Sequence, residues 1–120
     1  MAKCLVVDDV AVSRFAVESF LGNLGIEIEE AVDEKQALEA LEQGGIDVIL
    51  LDWHLKKKSG LELLTEIRER YGKDLKIVVF TGVEGEDKVD EAMAAGANGF
   101  INKPTTEDKI SEQFKALGIL

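Results

Sequence analysis

Cysteine occurs once in this sequence, so no intramolecular disulfide can staple the fold; Cys4, inside an apolar stretch, reads as a buried core thiol in a reducing compartment. Proline also occurs once. No segment repeats, is of low complexity or looks like a linker, which excludes fibrous and disordered classes. Basic residues are outnumbered: 14 Lys and Arg face 24 Asp and Glu, a formal charge of −10 that repels nucleic-acid phosphates and anionic membrane surfaces. Long hydrophobic runs are missing as well. The run at residues 4–7 is too short for a signal peptide, and nothing later approaches a membrane span. The expectation is a cytoplasmic, monomeric, single-domain globular protein over residues 1–120, with no nucleic-acid partner and no membrane insertion.

What is present is a set of short apolar runs alternating with helical patterns. Val48, Ile49, Leu50 and Leu51 form a run without a polar break, as in a strand buried on both faces of a parallel sheet, and Asp52 closes it. Cys4, Leu5, Val6 and Val7 repeat the pattern and end at Asp8 and Asp9. Ile77, Val78, Val79 and Phe80 end at Thr81. Gly99, Phe100 and Ile101 end at Asn102, Lys103 and Pro104. Residues 26–29 alternate like an outer strand with one wetter face, and the central strand is expected over 46–51.

Helical spacing fills the gaps. Val17, Phe20, Leu21 and Leu24 mark a helix over 12–24, and Ala37, Leu38 and Leu41 mark one that Asp33 and Gln36 begin as a capping box. Ser59 and Glu62 begin a third, with Leu61, Leu64 and Ile67 on its face. Residues 86–95 carry a weak stripe of Val89, Ala92 and Met93, suggesting a loosely held element. Thr106 opens a last helix that buries Ile110, Phe114 and Leu117. Five strands alternating with five helices predict an α/β domain, a doubly wound parallel sheet covered on both faces.

In such a sheet the strand ends share one edge, where ligands bind. Neighbouring strands lie about 4.8 Å apart, so Asp8, Asp9, Asp52, Thr81 and Lys103 can converge. Like charges about 4 Å apart at an effective dielectric near 20 repel by roughly 4 kcal/mol. Three carboxylates therefore need compensating cations. Lys103 supplies one; a hard divalent ion such as Mg²⁺, which takes carboxylate oxygens and keeps waters for an incoming phosphate, supplies the rest. An aspartate in that company is equipped to attack phosphorus and hold an acyl phosphate.

Asp8-Asp9, Asp52, Thr81 and Lys103-Pro104, in this order and at these spacings, resemble the receiver domain of two-component response regulators, in the single-domain, chemotaxis-receiver size range. The resemblance covers essentially the whole chain. It implies a flavodoxin-like (βα)5 fold with strand order 2-1-3-4-5. It also implies that Asp52 is the phosphoacceptor for a histidine kinase or histidine phosphotransfer protein. Asp9, helped by Asp8, would bind Mg²⁺ together with Asp52 and the backbone carbonyl of His54. Thr81 and Lys103 would hold the phosphoryl oxygens, Thr81 and Phe100 would form the switch, and Lys103-Pro104 would be a cis peptide. The protein would be a signalling phosphoacceptor and not an enzyme in the ordinary sense, with no output domain. Its output would be an unidentified downstream partner, engaged through a change centred on residues 83–101.

Two positions depart from the family pattern: Lys56 stands where a proline is common, and Gly82 where Ala or Ser is frequent, and both bear on loop stiffness. Lys56, Lys57 and Lys58 read as a solvated charge run, with contact to an acidic partner as the sharper alternative. Trp53 either meets a partner or packs the loop. An aspartate-nucleophile, Mg²⁺-dependent phosphatase is the enzymatic alternative, but it wants Asp-x-Asp where this chain has Asp8-Asp9-Val10. A flavin-binding domain of the same fold would be repelled by two acids in the first loop.

Overall fold

Each apolar run becomes a strand of one parallel sheet. The structure, a computed structural model, describes residues 2–56, 58–82 and 86–120, without the side chains of Glu86 and Asp87. Lys57, in the lysine run, and residues 83–85, at the start of the expected switch region, lie outside the described residues. The elements follow in the order β1 (Lys3–Val7), α1 (Ala11–Asn23), β2 (Glu27–Ala31), α2 (Glu34–Gln43), β3 (Val48–Asp52), α3 (Gly60–Tyr71), β4 (Lys76–Thr81), α4 (Glu86–Ala94), β5 (Gly99–Asn102) and α5 (Glu107–Ala116). The sheet order is β2-β1-β3-β4-β5, all parallel, as the resemblance implies.

Because successive strand residues face opposite sides, β1, β3 and β4 feed two cores. Leu5, Val7, Ile49, Leu51, Ile77 and Val79 pack under α2, α3 and α4. Cys4, Val6, Val48, Leu50, Val78 and Phe80 pack under α1 and α5, against Val17, Leu21, Ile110 and Phe114. Burial raises the pKa of the Cys4 thiol, so it is an inert packing group.

The helix starts are built as the sequence predicts. Asp33 accepts from the Gln36 N–H at 2.8 Å, Ser59 from Glu62 at 3.2 Å and Thr106 from Lys109 at 3.3 Å. The Gln36 side chain reaches back to the Val32 N–H at 3.0 Å, one residue before the cap. α1 has no side-chain cap at Val10.

Some boundaries and faces differ from expectation. β2 is displaced toward Ala31, which pairs with Val7, while Ile26 is buried but precedes the strand. β3 starts at Val48, after Gly44 and Gly45 have carried the chain through positive φ. Met93 does not belong to the buried stripe of α4: it is 45% exposed, and its neighbour Ala92 is the residue that meets the core. A side chain one position along a helix turns about 100° away, and the sheet offers room for only the smaller one. Among the described residues, no helix is long and apolar enough to cross a membrane.

Candidate functional site

The carboxyl ends of β1 and β3 bring the acids together, and β4 ends beside them in Thr81. Ligand oxygens of Asp8, Asp9 and Asp52 all lie within 4.8 Å of one another. Asp8 is fully buried and Asp52 is 4% exposed, whereas Asp9 is half-buried. Asp8 is fixed from several sides. Its Oδ1 accepts from the Val10 N–H at 2.9 Å, its own N–H donates to the Ala31 carbonyl at 3.1 Å, and its carbonyl accepts from Arg14 Nη1 at 2.9 Å. Asp52 Oδ1 accepts from the His54 N–H at 3.1 Å, and Asp9 Oδ2 from the Lys56 N–H at 2.9 Å.

Lys103 is the cation of the group. Its Nζ lies 3.2 Å from Asp8 Oδ2, 3.6 Å from Asp52 Oδ2 and 4.5 Å from the centroid of the Phe80 ring, while its backbone N–H donates to the Thr81 carbonyl at 2.8 Å. The Lys103-Pro104 bond is cis, as expected. Thr81 is fully buried at the end of β4, one residue beyond the pairing of Asp52 with Phe80.

Among the described residues, one ammonium against three carboxylates leaves two negative charges in a largely desolvated site. The Asp52 carboxyl is accordingly pushed up to about 6, chiefly by burial; the His54 N–H and Lys103 pull it down, and Asp8 adds to the rise. The donors are carboxylate oxygens, and the one histidine, His54, has an exposed side chain. That donor set and charge deficit fit a hard divalent cation of the Mg²⁺ type.

Phe100 does not reach the acids. It is half-buried on β5 opposite Val79 and packs on the core beneath α4, the face that Thr81 shares by strand alternation. Trp53 is buried, which assigns it to packing the loop.

Two residues of the site escape the reading of the sequence. Gly60 opens α3 with its Cα against the Asp52-Trp53 backbone: a Cβ there would stand 2.6 Å from the Asp52 carbonyl oxygen and 2.6 Å from Trp53 Cα. Arg14 shares the buried stripe of α1 with Val17 and Leu21, and that polar interruption was the available signal.

This fold and this edge define a class. The chain matches the family model of the response regulator receiver domain over residues 4–115, and it belongs to that family. It is 34% identical to the chemotaxis protein CheY-3 of Vibrio cholerae over 113 residues, covering 92% of this chain and 87% of that protein. It is 33% identical to the chemotaxis protein CheY of Pseudomonas aeruginosa, covering 96% and 94%. Among solved structures, chemotaxis protein CheY4 of Vibrio cholerae superposes with a TM-score of 0.90 at 30% identity, covering 98% of each chain.

Proposed function

We propose that the chain takes a phosphoryl group onto Asp52 from a histidine kinase or histidine phosphotransfer protein, with Mg²⁺, and thereby changes its binding to a downstream protein. The observation that carries this reading is the set of three carboxylates within 4.8 Å, two of which, Asp8 and Asp52, Lys103 bridges. Asp8 and Asp9, with Asp52 and the His54 carbonyl, are the residues to hold Mg²⁺, which when bound neutralises charge on the transferring group. A carboxylate oxygen of Asp52 forms the new bond to phosphorus while the phosphorus–nitrogen bond of the donor breaks. Its electron pair leaves with the imidazole, which takes a proton from solvent. Lys103 pairs with the oxygens that carry charge, and Thr81 supplies a hydroxyl beside them.

A protein donor needs a surface next to this edge. Val12 is 80% and Phe15 58% exposed at the start of α1, and an apolar cleft between Val12, Ala16, Phe20 and Pro104 adjoins Lys103. On this reading the signal leaves through a binding face of a monomeric, cytoplasmic phosphoacceptor. The protein catalyses only its own phosphorylation and dephosphorylation.

A small acyl phosphate donor with Mg²⁺ should add one labile phosphoryl group, seen by intact mass. The adduct should vanish in Asp52→Asn; an adduct that persists there moves the acceptor elsewhere.

A further inference from the structure

The lysine-bearing loop after β3 touches the site at one end and is tied down at the other. Its backbone N–H groups hold two of the three carboxylates, His54 to Asp52 and Lys56 to Asp9. Beyond them, Lys58 is not the solvated charge that the run suggests. Its Nζ lies 2.9 Å from Glu34 Oε1, in the first turn of α2, and 2.6 Å from Glu66 Oε1, on α3. The second oxygen of Glu66 is 2.8 Å from Arg70. One ammonium, its side chain 24% exposed, thus joins the loop to two helices. The bonds from Glu66 and Glu34 raise the Lys58 pKa, and the bond from Lys58 lowers that of Glu66, as charge-assisted contacts do. Lys58 also lines one cleft with Asp9, Leu55 and Lys56, so the tie sits beside Asp9.

Resting on the receiver reading, we propose that Lys58 is a positioning residue for the metal-binding acids: its ion pairs with Glu34 and Glu66 fix the loop at Lys58 to α2 and α3, so that the Lys56 N–H stays on Asp9. The sign of its effect separates this role from simple electrostatics. If Lys58 merely added positive charge near the site, removing it would strengthen binding of a dication. The clamp requires the opposite, because a loosened loop no longer holds Asp9 in place, and the partners of metal ligands set affinity nearly as much as the ligands do.

The test compares the unmutated protein with Lys58→Met, which keeps the aliphatic stem, and Lys58→Arg, which keeps the charge. Mg²⁺ titration followed by the fluorescence of Trp53 should show binding weakened roughly tenfold in Lys58→Met, the low end for groups that support metal ligands. In the metal-free protein the same variant should speed exchange of the Lys56 amide. Lys58→Arg should restore both. Equal or tighter Mg²⁺ binding by Lys58→Met, or an unchanged Lys56 amide, overturns the clamp. So does equal weakening in both variants with equal loss of thermal stability, which would assign the effect to packing of the stem. Failure of the unmutated protein to be labelled on Asp52 overturns the receiver reading instead, and the metal-free amide measurement still decides the clamp.

Discussion

The two halves of the sheet are held differently. On the side of β1, β3 and α3 the packing is continuous: every residue of β3 is buried, and α3 buries Gly60, Leu63, Leu64 and Ile67. On the side of α4 and β5 it is thin. Among its described side chains α4 buries only Ala92, and β5 buries Gly99 and Ile101 but leaves Phe100 half-buried and Asn102 exposed. The lower end of this half is pinned, since the Arg68 guanidinium donates to the carbonyls of Gly96, Gly72 and Leu75 and to Asn98 Oδ1. Its upper end, beside Thr81, meets the acids through Lys103, whose N–H donates to the Thr81 carbonyl and whose ammonium lies by Asp8 and Asp52. The acids thus stand on the more densely packed part of the fold, and the expected switch residues on the part with fewer buried side chains.

Cutting into each half breaks or sustains that contrast. Leu63→Ala empties a fully buried site and should cost about 2–5 kcal/mol by urea unfolding. Met93→Ala, on the exposed face of α4, should stay within about 0.5 kcal/mol. Comparable costs would erase the distinction. Gly60→Ala tests how tightly the acid strand is backed: its methyl meets backbone, not a flexible side-chain end, so it should cost roughly 1–3 kcal/mol. It should slow labelling of Asp52 as well, because the displaced atoms belong to Asp52 and Trp53.

The site was legible because the sequence marks both ends of each buried strand. Apolar runs that stop at Asp8, Asp52, Thr81 and Lys103 need only the rule that parallel strands share a carboxyl edge to become neighbours. Gly60 was not legible in the same way. Its requirement comes from the backbone of another element, and nothing in the adjacent Ser59 cap announces it. Arg14 could have been read, since a charge at a stripe position demands partners, but one of them, Glu30, lies on β2 and the other is the backbone carbonyl of Asp8, which no residue type announces. Met93 was misread because a short amphipathic stripe cannot rank a methionine below an alanine without knowing how close the sheet comes. Lys58 defeated composition altogether: a lysine run looks the same whether or not two glutamates from other helices meet it.

The next test follows the contrast into the signalling step. On the proposed function, phosphorylation would add charge and acceptor oxygens at Asp52, toward which Thr81 would move, and Phe100 has no hydroxyl to satisfy whether it packs outward or inward. The two arrangements then differ by a few kcal/mol at most, within reach of a single phosphoryl group. Amide exchange with and without a stable phosphoryl mimic should change over residues 86–101 and leave β1 unaltered. A change confined to residues 54–60 would put the output face beside the lysine loop and remove Phe100 from the switch.

The smallest expected effect concerns a flaw in the tighter half, where α1 meets β2. Glu18 Oε2 is shielded from solvent and receives no hydrogen bond among the described residues. The charged groups around it are Glu30, across on β2, and Arg14, one turn back on its own helix, whose Nε binds Glu30 at 3.1 Å. Burial first, then the bond and charge of Glu30, push the Glu18 carboxyl up to about 7 from its ordinary 4.5, against the pull of Arg14. Between those values the folded protein holds a proton that the unfolded chain releases. Stability therefore falls as pH rises through that window, is fully penalised above about 7 and carries no penalty below 4.5. Asp52 in the metal-free protein acts in the same direction, between its ordinary 3.8 and about 6. Solvent screening keeps the Glu18 contribution below about 1 kcal/mol. Glu18→Gln supplies a permanent donor to Glu30, so it should stabilise the protein at pH 8 and be neutral near pH 4.5 in urea unfolding. Adding Asp52→Asn in chelator should flatten the remaining slope. If Glu18→Gln leaves the slope as steep as before, no proton is shared between α1 and β2, and the tight half has no such flaw.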